Sequence, residues 1–191
     1  MFDSLGTLLV AAGGSSRLGQ PKQLVEYDGE PLVRRQARML LALDPVCVTV
    51  VTGAGAPEVD AALEGLNVDI VPNPDWSLGM GGSIARGAAA MPERVRGMLL
   101  LLVDQYRIGR DDLQAIAAAW SDDPAAVALA GWDDQRGPPT LFPRALFGAL
   151  ARLGGDSGAR PVLRKFRGRQ IVVPTPNAAF DLDTPEDLQR M

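Results

Sequence analysis

Between Gly13 and Lys22 the chain reads Gly-Gly-Ser-Ser-Arg-Leu-Gly-Gln-Pro-Lys, residue types that suit a polyphosphate. Gly13 and Gly14 put no side chain between their backbone N–H groups and an anion. Ser15 and Ser16 add hydroxyl donors, and Arg17 and Lys22 bring two positive charges to one loop. Two familiar phosphate loops do not fit. The dinucleotide fingerprint G-x-G-x-x-G is absent. Gly14 and Gly19 have the Walker separation, but Gln20-Pro21 delays the lysine, and a proline there breaks the continuous helix that a Walker lysine opens. A βα turn with ordinary surface charges is the competing reading. Arg17 and Pro21-Lys22, placed just after an apolar run, favour the triphosphate.

Asp104 closes the apolar run Met98–Val103. A carboxylate there is costly unless it meets a cation or donors, and Mg²⁺ is usually held by one or two carboxylates plus substrate phosphates. A turn aspartate capping the next loop is the alternative. Asp181 and Asp183 flank Leu182, so extended backbone points both the same way. Gly79–Ser83 precede or open a helix; the glycines admit a flat base or ribose and Ser83 offers a hydrogen bond, although a plain helix start reads the same. Met80 either covers a base or joins the core. Trp76 stands beside this loop and is the one tryptophan placed near a ligand, whereas Trp120 and Trp132 are not. From Ser157 to Phe180 there are five basic residues and no acidic ones. Arg160, Arg164 and Arg167 would form one stripe on a helix, with Leu163 and Phe166 on an adjoining apolar face. That stripe is either a solvated face or an anion grip.

The elements that must carry these residues alternate. Thr7–Ala12, Val46–Thr52, Val68–Val71, Met98–Val103, Ala125–Ala130 and Gln170–Val173 read as strands, with Thr140–Phe142 as a short edge strand. Pro31–Leu43, Glu58–Glu64, Gly81–Met91, Asp111–Trp120, Pro143–Leu153 and Ala159–Phe166 read as helices. A final helix opens at Asp183-Thr184-Pro185, with Asp183 or Thr184 as its cap. Strand–helix alternation implies right-handed crossovers and an open, mostly parallel sheet with helices on both faces. Ligands then bind beyond the carboxyl ends of the strands. Arg34, Arg35 and Arg38 read as a solvated helix face, and Cys47 as a small core hydrophobe.

Composition narrows the chemistry further. At 191 residues, 47% hydrophobic and 22% charged, the chain reads as one globular domain, 1–191, against a prior of roughly 150 residues per domain. It has no histidine, which excludes His-based triads and imidazole acid–base catalysis. One cysteine excludes an internal disulfide framework and suggests a reducing compartment. A net charge of −4 speaks against nucleic acid as a partner. No apolar run approaches the ~20 residues of a membrane helix, and the expected location is cytoplasmic.

Taken together, Ala11-Ala-Gly-Gly-Ser-Ser-Arg-Leu-Gly-Gln-Pro-Lys22, Gly29-Glu-Pro-Leu32, Asn73–Ser83, Leu101-Leu-Val-Asp-Gln105, Gly155–Arg160 and Asp181–Asp187 resemble the motifs of the molybdenum cofactor cytidylyltransferases, relatives of the molybdopterin guanylyltransferases. The resemblance spans nearly the whole chain. It implies a three-layer α/β/α, Rossmann-like nucleotidyltransferase fold and transfer of CMP from CTP to a molybdopterin-type cofactor phosphate, with pyrophosphate released. It implies that Ala11, Ala12, Gly13, Gly14, Ser15, Arg17, Lys22, Gly79, Gly82 and Ser83 bind the nucleotide, Ser83 at the pyrimidine. Arg17, Lys22 and Asp104 would be the catalytic set. Asp104 and Asp183 would hold Mg²⁺, or Mn²⁺ in its place, and Arg160 would grip the acceptor. Ala11-Ala12-Gly13 marks the cytidylyl branch, and the bulk of residue 12 would narrow the space for a purine. A molybdenum enzyme or its chaperone is the implied protein partner. GTP, another phosphorylated acceptor, or a non-catalytic cofactor carrier are the alternatives. The chain departs from the family at Tyr106, where proline is usual after Asp-Gln, and at Pro138, where histidine is usual after glycine. Both departures are expected toward the acceptor.

Overall fold

The computed structural model describes residues 3–191. The first strand, β1 (Leu5–Val10), is apolar at nearly every position and buried along its whole length. It runs between two parallel neighbours, β4 (Cys47–Thr52) and β6 (Gly97–Leu102). Both faces of such a strand are covered by helices, which is why its sequence shows no in–out alternation. Beyond β4 lies β5 (Asp69–Pro72), also parallel. On the other side of β6 come β8 (Gln135–Pro143), β7 (Val127–Trp132) and β9 (Gln170–Pro174), giving a seven-stranded sheet in the order β5-β4-β1-β6-β8-β7-β9. Only β8 runs against the rest. A separate two-stranded ribbon, β2 (Glu26–Tyr27) with β3 (Glu30–Pro31), leads into the first helix.

The helices divide between the two faces. Helices α1 (Leu32–Leu41), α2 (Ala56–Ala62) and α4 (Arg110–Asp122) pack with Leu5, Leu9, Val50, Leu99 and Leu101 into one core cluster. Helices α3 (Met80–Ala90), α5 (Phe147–Leu150) and α6 (Arg160–Lys165) pack with Leu8, Val10, Met98 and Leu100 into the other. Alternate residues of β1 and β6 feed alternate faces, as strand geometry requires. The architecture is the expected mostly parallel three-layer α/β/α sandwich. From β1 the chain builds outward through β4 and β5, then returns to place β6 on the opposite side of β1. The crevice at that reversal is where open α/β sheets bind ligands, and the loops after β1 and β6 both open into it.

Four expectations need correction. Thr140–Phe142 is not an edge strand: β8 is nine residues long and is bonded on both sides. Pro138 and Pro139 hid it, because proline cannot donate to a ladder. The sheet solves this by skipping the pair, with Leu129 facing Thr140 and the next residue, Ala130, facing Gly137. Pro143–Leu153 is not one helix; Pro143 ends β8, a 3₁₀ turn spans Arg144–Leu146, and α5 is four residues. Arg34 and Arg35 are not a solvated face. Arg34 donates to the carbonyls of Ala62 and Glu64 at 2.9 Å, and Arg35 lies over the Tyr27 ring. Cys47 opens β4 only partly buried, its sulfur 4.0 Å from Met91 Sδ. A last short helix, α7 (Pro185–Leu188), brings the carboxyl-terminal segment back to the crevice.

Candidate active site

The glycine loop leaves β1 and is stitched in place by Gln23, a buried residue that the sequence reading passed over. Its Nε2 donates to the carbonyls of Ala11 and Gly13, both at 2.8 Å. The Lys22 backbone N–H donates to Ser15 Oγ at 3.0 Å, and Ser15 has a left-handed φ of 52°. The Ser15 oxygen is therefore engaged in closing the loop, and its proton is what remains for a ligand. Ala11 and Ala12 are buried. A Cβ added at Gly53 would stand 2.9 Å from the Ala12 methyl, and the recess beneath the loop is lined by neither alanine. The side chain of residue 12 thus does not border this recess.

Gly13 and Gly14 differ sharply. A Cβ at Gly13 would meet nothing within 4 Å, whereas one at Gly14 would stand 2.7 and 2.8 Å from two ring carbons of Trp76. Trp76 is also confined at Gly53, where a Cβ would lie 2.7 Å from the Trp76 Cβ. The indole forms one wall of a recess of about 240 Å³ with Gly13, Gly14, Lys22, Ser83 and Asp104. Ser83 is buried and accepts a hydrogen bond from Asn73 Nδ2 at 2.9 Å, leaving its proton for a ligand. Met80 borders this recess and is partly exposed, so it belongs to the surface of the site and not to the core.

The glycines around Met80 also make room for a neighbouring loop. Gly79, at φ 116°, faces the backbone of Gly155, and a Cβ at Gly81 would lie 2.6 Å from the Gly154 carbonyl oxygen. The Gly81 N–H donates to the Gly155 carbonyl at 2.8 Å. Their missing side chains admit the 154–158 loop, while Gly79 also lines the recess itself. Gly82 points its open side toward Asn73 and does not line the recess.

At the mouth of the crevice the charges converge. Lys22 Nζ lies 2.8 Å from Asp104 Oδ2 and 2.7 Å from Asp183 Oδ1. Arg17 reaches Asp183 Oδ2 at 3.0 Å but is largely exposed. Partial burial works against the Lys22 charge, yet Asp104 and Asp183 outweigh it and hold the ammonium above the usual lysine range. The other oxygen, Asp104 Oδ1, is buried without a partner. A smaller recess of about 130 Å³ beside the first is lined by Gly13, Ser15, Ser16, Arg17, Lys22 and Asp183.

Asp183 owes its position to Asp187, another residue that the sequence reading did not single out. Asp187 Oδ2 accepts from the backbone N–H groups of Asp183 and Thr184 at 3.1 and 2.8 Å, and from Thr184 Oγ1 at 2.9 Å. These bonds hold its carboxyl below the usual range. Thr184, not Asp183, is the cap of α7, which frees Asp183 to meet Lys22. The Leu182 N–H donates to the Asp104 carbonyl at 2.9 Å, tying the two aspartate segments together.

A second cavity of about 320 Å³ opens beside the first and shares Met80, Leu102 and Asp156 with it. Trp132, Phe142 and Leu163 supply apolar walls, while Arg136, Arg160 and Asp181 supply charge. Asp181 is exposed at the rim of this cavity, yet partial loss of water around its carboxyl, with the carboxylates of Asp104 and Asp183 close by, pushes it up to about 7. Arg136 and Trp132 were not foreseen. Arg160 is where the motif placed it, but the stripe is broken: α6 ends at Lys165, and Arg167 lies beyond it. Pro138 does line this cavity. Tyr106 does not; it is buried edge-on to Tyr27, ring centroids 5.4 Å apart.

Residues 7–171 match the model of the MobA-like NTP transferase domain. Nicotine blue oxidoreductase of Paenarthrobacter nicotinovorans is 32% identical over 96% of this chain and 94% of its own length. Purine catabolism protein PucB of Bacillus subtilis is 28% identical over 94% and 92%. Among solved structures, Rv0371c of Mycobacterium tuberculosis H37Rv superposes with a TM-score of 0.85 at 29% identity, covering 98% of this chain and 96% of that one. Its complex with manganese gives 0.81 at 26% identity, covering 98% and 97%.

Proposed function

The chain belongs to the MobA-like NTP transferase family and is a nucleotidyltransferase, and from that premise we propose that it transfers CMP from CTP to the terminal phosphate of a molybdopterin-type cofactor, releasing pyrophosphate. The observation that carries this reading is the meeting of two recesses at one charge cluster, Lys22 with Asp104 and Asp183, while the larger cavity adjoins the first of them at Met80, Leu102 and Asp156. The triphosphate would lie along the Gly13–Arg17 loop, with Arg17 and Lys22 against its charge. Base and ribose would take the recess walled by Trp76 and Ser83. The acceptor would enter from the second cavity, its phosphate gripped by Arg160. The catalytic unit in this reading is the whole chain, 1–191, and the product would pass to a molybdenum enzyme or its chaperone.

A phosphate nucleophile is already ionised, so the site must position groups and neutralise charge, not remove a proton. That suits a chain without histidine. The residues present also fit a divalent metal ion. Asp104 and Asp183 converge on one cation position, and Asp104 Oδ1 is buried without a partner. Among the described residues no group of three or more metal-binding side chains converges, so substrate phosphates would complete the shell, as is usual for Mg²⁺. Mg²⁺ or Mn²⁺ held there would offset charge on the triphosphate.

The preference for CTP rests on the Ala11-Ala12-Gly13 resemblance alone, since residue 12 does not border the recess. The test is pyrophosphate release from CTP, GTP, ATP and UTP with a molybdopterin-type acceptor and Mg²⁺. CTP alone should support turnover. Equal turnover of GTP would overturn the cytidylyl assignment, and no release from any nucleotide would favour a carrier. A second reading follows from the relative named an oxidoreductase, which the chain matches along nearly its full length: the same clefts would hold a dinucleotide and a planar redox substrate. Oxidation of NADH or NADPH with a planar acceptor dye, without pyrophosphate release, would put that reading first.

A further inference from the structure

Lys22 and a divalent metal ion claim the same two carboxylates, and we propose that Lys22 is a resident cation which metal and triphosphate displace together. The inference rests on the transferase reading above. A single ammonium stands where Asp104 and Asp183 converge, at 2.8 and 2.7 Å, with its side chain only 12% exposed. Two cations cannot share that point without repulsion in a partly dry crevice. Arg17 holds the outer oxygen of Asp183 and is 72% exposed, so it can turn away. Asp181 adds a further carboxylate on the side of the second cavity. Asp104 Oδ1 has no partner, so Lys22 satisfies only part of what the pair can accept.

Lys22 is placed for the exchange. Its side chain borders both the recess beneath the glycine loop and the smaller recess lined by Arg17. Rotation about the flexible four-carbon stem carries the ammonium from the carboxylates to phosphate oxygens. A triphosphate provides the anion that receives it, and the vacated carboxylates are left to the metal. Neither half is favourable alone. A metal ion arriving without nucleotide must evict an ammonium that has no anion to receive it. A triphosphate arriving without metal draws Lys22 away and leaves two carboxylates bare. The two ligands therefore bind with positive coupling, and by linkage each strengthens the other equally.

The chain has only two lysines, Lys22 and Lys165, and Lys165 is exposed at the end of α6. Side-chain ¹⁵N NMR of lysine-labelled wild type thus has one reporter and one internal reference. Inorganic triphosphate with Mg²⁺ should move the Lys22 signal and leave Lys165 in place, while Mg²⁺ alone at the same concentration moves neither. A Lys22 signal unmoved at saturating Mg²⁺ and triphosphate would overturn the proposal. Mn²⁺ binding followed by EPR without nucleotide gives the second reading. Lys22→Met should bind Mn²⁺ at least tenfold more tightly than wild type, and adding Asp104→Asn should remove the gain; equal or weaker binding by Lys22→Met also overturns it. If the lysine variant does not fold, the NMR result on wild type decides. Pyrophosphate release by wild type with an unmoved Lys22 would refute the displacement and leave the transferase standing. Tighter Mn²⁺ binding by the variant, with no release from any nucleotide by wild type, would do the reverse.

Discussion

Gly14→Ala should damage the recess proposed for base and ribose, whereas Gly13→Ala, one residue away, should leave the fold untouched. The two positions look alike in the sequence but not in space. A methyl at residue 14 would stand 2.7 and 2.8 Å from the Trp76 ring, while at residue 13 it meets nothing within 4 Å. The indole cannot simply retreat, because its own Cβ is packed against Gly53. Overpacking of this kind costs typically about 1–3 kcal/mol. For a chain of this size that is a fall in Tm of roughly 2–12 °C, at about 2–4 °C per kcal/mol. The displaced ring must move into the recess that it walls, so nucleotide affinity should fall on the order of tenfold, about 1.4 kcal/mol. Thermal melting and nucleotide titration of Gly14→Ala, Trp76→Ala and the double variant form a cycle. With the indole gone the extra methyl has nothing to strike, so the double variant should be no worse than Trp76→Ala alone. Additive losses, or a Gly14→Ala protein with unchanged Tm and affinity, would show that Trp76 does not wall the nucleotide recess.

Asp104→Asn should abolish divalent-dependent turnover while the protein stays folded by circular dichroism; activity within a few-fold of wild type at saturating Mg²⁺ would remove Asp104 from the metal site. Arg160→Ala should weaken the acceptor by about 1.5–3 kcal/mol, the range for a hydrogen bond to a charged group, and leave the CTP KM alone; steady-state kinetics varying each substrate checks this, and Arg167→Ala, beyond the end of α6, should do much less. Asp187→Ala should cost about 1 kcal/mol at neutral pH, the usual net worth of a hydrogen bond, because it removes the acceptor for Asp183 and Thr184 at the start of α7. Because the folded Asp187 carboxyl lies below its ordinary value, its contribution is complete above the unfolded value near ~3.9 and is lost as pH falls through the folded one. Denaturant melts of wild type and variant should therefore converge only in strong acid, and a gap that persists there would assign the effect to something other than the carboxylate.

The sequence by itself determined the layered α/β architecture, since both-face burial of β1 and β6 leaves an unbroken apolar run that only a helix-covered sheet explains. It also located charged residues of the crevice, Arg17 and Lys22 in the glycine loop that follows one apolar run and Asp104 at the end of another, while Asp183 was implied by the family resemblance. What it left open depends on contacts between distant segments. Lys22 and Asp183 are 161 positions apart, and no local pattern says that an ammonium lies between two carboxylates. Gly79 and Gly81 read as room for a ligand, and nothing local says that their Cβ positions face the 154–158 loop. Gln23 and Asp187 look like ordinary polar residues until their hydrogen bonds to the Ala11 and Gly13 carbonyls and to the Asp183 N–H are seen. Proline masked the strand that runs against the rest of the seven-stranded sheet, because local propensity cannot foresee that a sheet will pass over two residues and resume its ladder. Chemical type is a property of each residue and is legible in the chain; which neighbour satisfies it is a property of the fold, and tertiary packing alone decides that.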